Sequence, residues 1–250
     1  NNPLAATSWS FTTAAAPPPA STRIKDITFE SGSLTDPSNG ADAVVGSVAL
    51  ETATPLKGAA SATINSTSGY LREDFSAADE LFVSFYLRVN ALSASSRLAM
   101  ITNGTTNVGV LYLNSTGALQ LRNGSTTIAT SAAKLVPGTL YRVGLHQKKG
   151  TGSNAVLEAF LATGDAAFTT PFAASSAQTF TSQATRLSLG ATNSSAVNVT
   201  VDTIQLDTAG FAGASAPPAD TTPPTVTATV PVANATGVST GASVTATFSE

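Results

Sequence analysis

The sequence predicts an all-β protein: an antiparallel jelly-roll β-sandwich flanked by shorter β segments. Three observations carry this. Through the middle of the chain, apolar residues recur at every second position, the period of a half-buried strand. Turn signals built from Gly, Asn, Asp and Ser return at intervals of roughly 8–12 residues, the rhythm of a sandwich or jelly roll. Charged residues fill only 11% of the 250 positions and hydrophobic residues 42%. Roughly 25% charge is ordinary for a soluble domain, so this chain relies on a large β core faced with Thr and Ser.

Taken in order, residues 8–13 alternate around Trp9 and Phe11 and stop before Pro17, Pro18 and Pro19. A second proline segment contains Pro217, Pro218, Pro223 and Pro224. Proline lacks an amide donor and favours extended chain, so both segments, 14–22 and 213–224, read as semi-rigid spacers. They bound one β-domain at 23–212. Within it, residues 81–89 put Leu81, Val83, Phe85, Leu87 and Val89 on one face and Tyr86 on the other. Residues 108–113 and 118–122 follow as strands, and Asn123-Gly124 is a strong hairpin signal. Residues 139–147 carry Tyr141, Val143 and Leu145 on one side. Residues 148–154 read as an open loop, 155–162 as a strand, and Gly164-Asp165 as a turn. Residues 186–190 and 197–206 close the series. In the last of these the apolar face uses Val197, Val199 and Val201, then Ile204 and Leu206. A slip of phase at Asp202 marks a β-bulge. Residues 76–81 are the one stretch that reads as a single helical turn. Beyond the second spacer, 225–230 and 242–249 alternate again around Val226, Val230, Val244 and Phe248.

Composition excludes several functions. With no cysteine, disulfides, thiol chemistry and Cys-ligated metals are ruled out. His146 is the only histidine, so no two-histidine metal site exists within one chain. A net charge of −3 and a pI near 5.1 argue against a nucleic-acid-binding surface. No apolar run reaches the roughly 18 residues of a membrane-spanning helix, so no membrane insertion is expected. The chain opens at Asn1 with neither Met nor a signal peptide, as a fragment or processed chain would.

Two resemblances add to this reading. Residues 223–250, from Pro223 and Pro224 through Val226, Val230, Gly237 and Val244 to Phe248, resemble the opening of bacterial SbsA-type Ig-like repeats. Residues 2–13, with Trp9 and Phe11, resemble the closing strand of the same repeat. The middle of the chain is similar to a concanavalin A-like jelly roll of the laminin-G type, on residues 27–32, 81–89, 135–143 and 199–207. The implied organisation is a closing Ig-like strand at 1–13, a linker at 14–22 and a jelly roll at 23–212. A second linker at 213–224 and the opening strands of another Ig-like repeat at 225–250 complete it.

Catalysis finds little support in the residues. His146 sits mid-strand, and no nucleophile-elbow motif accompanies it. The pairs Glu73-Asp74 and Asp79-Glu80 read as solvated loop rather than as the paired carboxylates of a glycosidase. Sugar-binding jelly rolls place one acidic residue in the first strand and another in the last, and Glu30 and Asp202 match those places. The resemblance therefore implies one structural calcium ion on Glu30 and Asp202, or no cofactor. The alternative is a pair of carboxylates bonded to backbone amides. Carbohydrate binding would need exposed aromatic rings, for which Tyr70, Tyr86, Tyr112 and Tyr141 are the candidates in the jelly roll. Acceptor sequons for glycosylation occur at Asn65, Asn103, Asn114, Asn123, Asn193, Asn198 and Asn234.

The expected role is structural and non-enzymatic: part of an extracellular, cell-surface stalk, adhesin, sheath or filament. The alternative is a lectin-like, carbohydrate-binding module. An Ig-like half-sandwich exposes strand edges and an apolar face, which recruit further strands. The expected partners are therefore neighbouring repeats or a second copy of the chain, joined head to tail, with a cell-surface glycan as the further partner.

Overall fold

The computed structural model describes residues 22–175, 178–213, 225–232, 234–239, 241–243 and 245–248. The strand expected at 8–13, with Trp9 and Phe11, lies outside the described residues. The chain divides into two compact units, 1–215 and 216–250.

The first unit is built from β1 (Arg23–Ile27), β2 (Ala43–Val45), β3 (Ala49–Glu51), β4 (Ser61–Ser66), β5 (Tyr70–Ala78) and β6 (Glu80–Val89). There follow β7 (Ser96–Asn103), β8 (Thr106–Leu113), β9 (Ala118–Asn123), β10 (Thr126–Lys134), β11 (Leu140–Lys148) and β12 (Gly150–Gly152). The last are β13 (Val156–Thr163), β14 (Ala173–Ala174), β15 (Gln178–Phe180), β16 (Ala184–Gly190) and β17 (Val197–Asp207). One sheet runs β14-β13-β11-β6-β17-β4-β3, with β1 also paired to β17. The other runs β10-β9-β8-β7-β16-β5-β2. Their inner faces meet in one core, to which β6 contributes Leu81, Val83, Phe85, Leu87 and Val89, all fully buried. From the facing sheet come Leu98, Ile101, Leu111, Leu119, Leu121 and Leu187. This is the jelly-roll sandwich that alternation and turn spacing predict.

The phase slip in the last strand is a bulge. The register of β17 against β6 shifts between Asp202 and Gln205, and Thr203 takes a left-handed φ of 44°. The bulge is also where β17 changes neighbours. Before it, Val201 pairs with Ala62 of β4. After it, Ile204 pairs with Ile27 of β1. One long strand thus joins two short ones, with Asp202 at the junction.

Three expectations need correction. Residues 76–81 form no helical turn: β5 continues to Ala78, where it pairs with Ala184, and β6 begins at Glu80. Nor are Glu73, Asp74 and Glu80 solvated loop: the first two lie in β5, where Glu73 is only 5% exposed, and Glu80 begins β6 and is half-buried. Pairing with a strand more than a hundred residues away outweighs the local preference of charged residues for loops. The expected open loop after Lys148 also contains β12, which pairs with β15.

The second unit contains an antiparallel pair, β18 (Val226–Val230) and β19 (Thr245–Phe248). Val226, Val230 and Val232 are 55%, 60% and 70% exposed.

Candidate functional site

The two carboxylates singled out by position act on one loop, although Glu30 lies in the turn after β1 and not in the first strand, because β1 ends at Ile27. Asp202 is fully buried. Its Oδ2 accepts hydrogen bonds from the Lys57 amide (2.9 Å) and the Ser61 hydroxyl (2.7 Å). Its Oδ1 accepts from the Thr203 amide at 2.6 Å. The Glu30 carboxylate accepts from the Ala59 amide at 2.9 Å. Between these anchors Gly58 has φ +55°, and a Cβ there would lie 2.1 Å from Glu30 Oε1. The left-handed φ at that position favours glycine. Burial pushes the Asp202 carboxyl up to about 6, against the pull of hydrogen bonds from Ser61, Lys57 and Thr203. Calcium takes six to eight oxygen ligands. Here N–H and O–H donors face the carboxylate oxygens, an arrangement that fits a loop clamp rather than a cation. Among the described residues no group of three or more His, Asp or Glu could hold a metal ion.

The outer face of the β1-bearing sheet is covered. Tyr86, a candidate for an exposed ring, is 1% exposed. Lys57 Nζ lies 4.5 Å above its ring, and its hydroxyl donates to Asp165 at 2.7 Å. Those bonds from Lys57 and Tyr86 hold the Asp165 carboxyl below its usual range. Nearby, Phe82, Phe160, Phe168 and Phe211 form a half-buried layer, with Phe168 and Phe211 at 4.9 Å. His146 stacks on Phe82 at 4.0 Å, with Nε2 2.9 Å from Glu80 and Nδ1 3.0 Å from Glu158. It braces two carboxylates. Burial raises the Glu80 carboxyl, but hydrogen bonds from Lys148 and His146 outweigh it and leave the group below its usual range.

Of the sequons, Asn65 and Asn234 are exposed. The others are half-buried. Asn103 Nδ2 donates to the Gln183 carbonyl, Asn193 Oδ1 accepts from the Arg97 amide, and Asn198 Oδ1 accepts from Asn90. Asn114 Oδ1 caps its own turn through the Thr116 and Ala118 amides. Asn123 ends β9 at the hairpin.

The opposite sheet carries an open groove of about 370 Å³, lined by Tyr70, Arg72, Arg97, Met100, Thr102 and Arg186, among others. Register explains the grouping. Arg72 pairs with Ser188, Ser188 with Met100, Met100 with Val110 and Val110 with Arg122. These residues form one row across five strands. At about 4.8 Å per strand the row spans about 19 Å. One step along, Arg186 pairs with both Asp74 and Thr102. Asp74 forms ion pairs with Arg72 (3.2 Å) and Arg186. At the other end, Arg97 Nε donates to the Tyr112 hydroxyl at 3.1 Å, and the Arg122 guanidinium sits 4.0 Å above the Tyr112 ring. Arg122 Nε also donates to Gln120 Oε1 at 2.6 Å. Of the other tyrosines, Tyr141 is 7% exposed and its oxygen accepts from the Val136 amide. Tyr70 and Tyr112 are thus the half-exposed rings on this face. Residue-by-residue reading missed the face because its arginines come from four strands.

Comparison with known proteins places the architecture. Residues 220–250 match the family model of a bacterial Ig-like domain. No curated protein is similar to the chain in sequence. Among solved structures, it is similar to an endo-β-1,4-glucuronan lyase from the fungus Trichoderma reesei: 13% identity, TM-score 0.51, covering 68% of this chain and 92% of that one. It is also similar to the binding domain of Botulinum Neurotoxin DC in complex with SialylT: 11% identity, TM-score 0.53, covering 76% of this chain and 48% of that one. A third is domain 4 of AbnA, an extracellular arabinanase from Geobacillus stearothermophilus, in complex with arabinotriose: 11% identity, TM-score 0.51, covering 75% and 92%. At these identities the likeness shows the fold, an all-β jelly-roll-like sandwich. No helix among the described residues is long and apolar enough to cross a membrane.

Proposed function

We propose that this chain is a carbohydrate-binding module of an extracellular, cell-surface protein, and that it binds glycan without cleaving it. The observation that carries the reading is the groove on the outer face of the β5-bearing sheet, where Tyr70 offers a ring and Arg72, Arg97 and Arg186 offer fixed donors, with Tyr112 and Arg122 beside it. Tyrosine presents an apolar body with a polar tip, which suits a sugar ring with its hydroxyls. Solved structures of the same fold that bind or act on glycans support the choice. So does the bacterial Ig-like match at 220–250 for an extracellular setting. What supports binding without hydrolysis is that Asp74, the carboxylate beside the groove, is committed to two arginines and that His146 is on the other sheet. A glycan array probed with the 250-residue chain tests the proposal, followed by titration of the best ligand against Tyr112→Ala. At least about a tenfold loss of affinity is expected for the variant. Absence of binding to any glycan refutes it.

A structural role is the second reading, and the hairpin of the second unit favours it. Exposed Val226, Val230 and Val232 give that hairpin an apolar surface that further strands could cover. Head-to-tail assembly, tested by light scattering and electron microscopy of the purified chain, would add a stalk or filament role to glycan binding.

A further inference from the structure

The groove's charge identifies its ligand more closely. The seven strands of the sheet, β10-β9-β8-β7-β16-β5-β2, carry two carboxylates in all, Glu73 and Asp74. Glu73 is buried, accepts from the Asp42 amide at 2.9 Å and lies 3.8 Å from Lys25, so it takes no part in the outer face. On the strands that leaves Asp74 against Arg72, Arg97, Arg122 and Arg186, with Asp42 at the β2 edge accepting from the Asp74 amide at 2.9 Å. The face is therefore strongly cationic on a chain whose net charge is −3.

The imbalance is concentrated at Tyr112. Arg72 and Arg186 share Asp74. Arg97 and Arg122 instead converge on one tyrosine, one at its hydroxyl and one over its ring. Their neighbours are neutral: Tyr112, Met100 for Arg97 and Gln120 for Arg122. Two like charges held on one aromatic side chain repel each other, and an anion between them removes that cost. A guanidinium presents its donors as a planar fork that matches a carboxylate or sulfate in a two-bond arrangement. The contacts with Gln120 and Tyr112 fix both forks in place.

We infer that the groove, with the Arg122–Tyr112 pair beside it, takes an anionic saccharide, one whose sugars bear carboxylate or sulfate groups, with Arg97 and Arg122 pairing with its anions and Tyr112 holding both arginines in place. The 19 Å row (about four strand spacings) suits an oligosaccharide of several units rather than a single sugar. The inference rests on the carbohydrate-binding reading above and narrows it.

Titration of the 250-residue chain with four probes tests it: an oligogalacturonate, a sulfated dextran oligosaccharide, a neutral β-glucan oligosaccharide and poly-L-glutamate. The oligogalacturonate arm reports carboxylate recognition and the dextran arm sulfate recognition. At least one should bind at least about tenfold more tightly than the neutral glucan and poly-L-glutamate. Raising salt from about 0.05 M to about 0.5 M should weaken that binding at least about tenfold, because surface charge pairs are screened. Arg97→Gln and Arg122→Gln should each cost about tenfold, while Arg88→Gln, on the other sheet, should change nothing. Melting curves of the variants verify that they fold, and the salt series on the unaltered chain keeps the test independent of them. Equal binding of the neutral glucan, salt-independent binding or silent arginine variants would overturn the inference and leave the carbohydrate reading standing. Equal binding of poly-L-glutamate would also overturn it, since the face would then recognise charge and no sugar. Binding of no saccharide at all would sink both.

Discussion

Replacing Asp202 with Ala removes the acceptor that holds the β17 junction closed. The carboxylate is fully buried and serves the Lys57 amide, the Ser61 hydroxyl and the Thr203 amide. The Ser61 hydroxyl can rotate to another partner, but the two amides cannot. Each buried donor left unmade costs about 1–3 kcal/mol, so the substitution removes about 4 kcal/mol where Asp202 is protonated. A second effect opposes this. Burial raises the carboxyl from 3.8 to about 6. A carboxyl whose folded pKa is raised contributes stability fully present below its unfolded pKa and lost as pH rises through the folded one. A shift of about two units is worth about 3 kcal/mol. Asp202→Ala should therefore cost most at about pH 3 and about 3 kcal/mol less above about pH 7. Urea unfolding of both chains, followed by far-ultraviolet circular dichroism across that range, measures it. Taking the difference between the chains cancels other titrations, including Glu73, which burial also raises. A difference that is flat with pH, or that grows as pH rises, would refute the reasoning.

Two further outcomes follow from the packing. In Gly144→Val, the new Cβ would lie 2.9 Å from Phe168 and 3.0 Å from Phe211. Overpacking of this kind costs about 1–3 kcal/mol, so the melting temperature should fall, and an unchanged value would mean that the outer aromatic layer is loose. EDTA or added calcium should leave the melting temperature of the chain unchanged, because Glu30 and Asp202 are engaged by amide and hydroxyl donors. A calcium-dependent rise would show that these carboxylates serve an ion instead.

What the sequence by itself determined was whatever repeats locally. Side chains alternate along a strand and turns need particular residues, so the strands at Leu81, Val108, Tyr141 and Val197 and the hairpin at Asn123-Gly124 were legible from a few neighbouring positions. The Asp202 bulge was legible for the same reason, as a break in the period of one strand. Strands β5 and β7 were harder to read, because Arg72, Glu73, Asp74 and Arg97 interrupt their apolar pattern. Of the candidate site, Tyr70 and Tyr112 were legible as candidate rings, but the arginines around them were not. Arg186 and Asp74 are 112 positions apart and become neighbours only through the pairing of β16 with β5. Arg97 and Arg122 converge on Tyr112 only because β7, β8 and β9 lie side by side. The burial of Tyr86 had the same origin: its strand period places it off the core, and only the approach of Lys57 and Asp165 covers it. Local pattern determines which way a side chain points from its own strand. What it then meets is decided by the order of strands in the sheet and by the loops that fold across the outer faces.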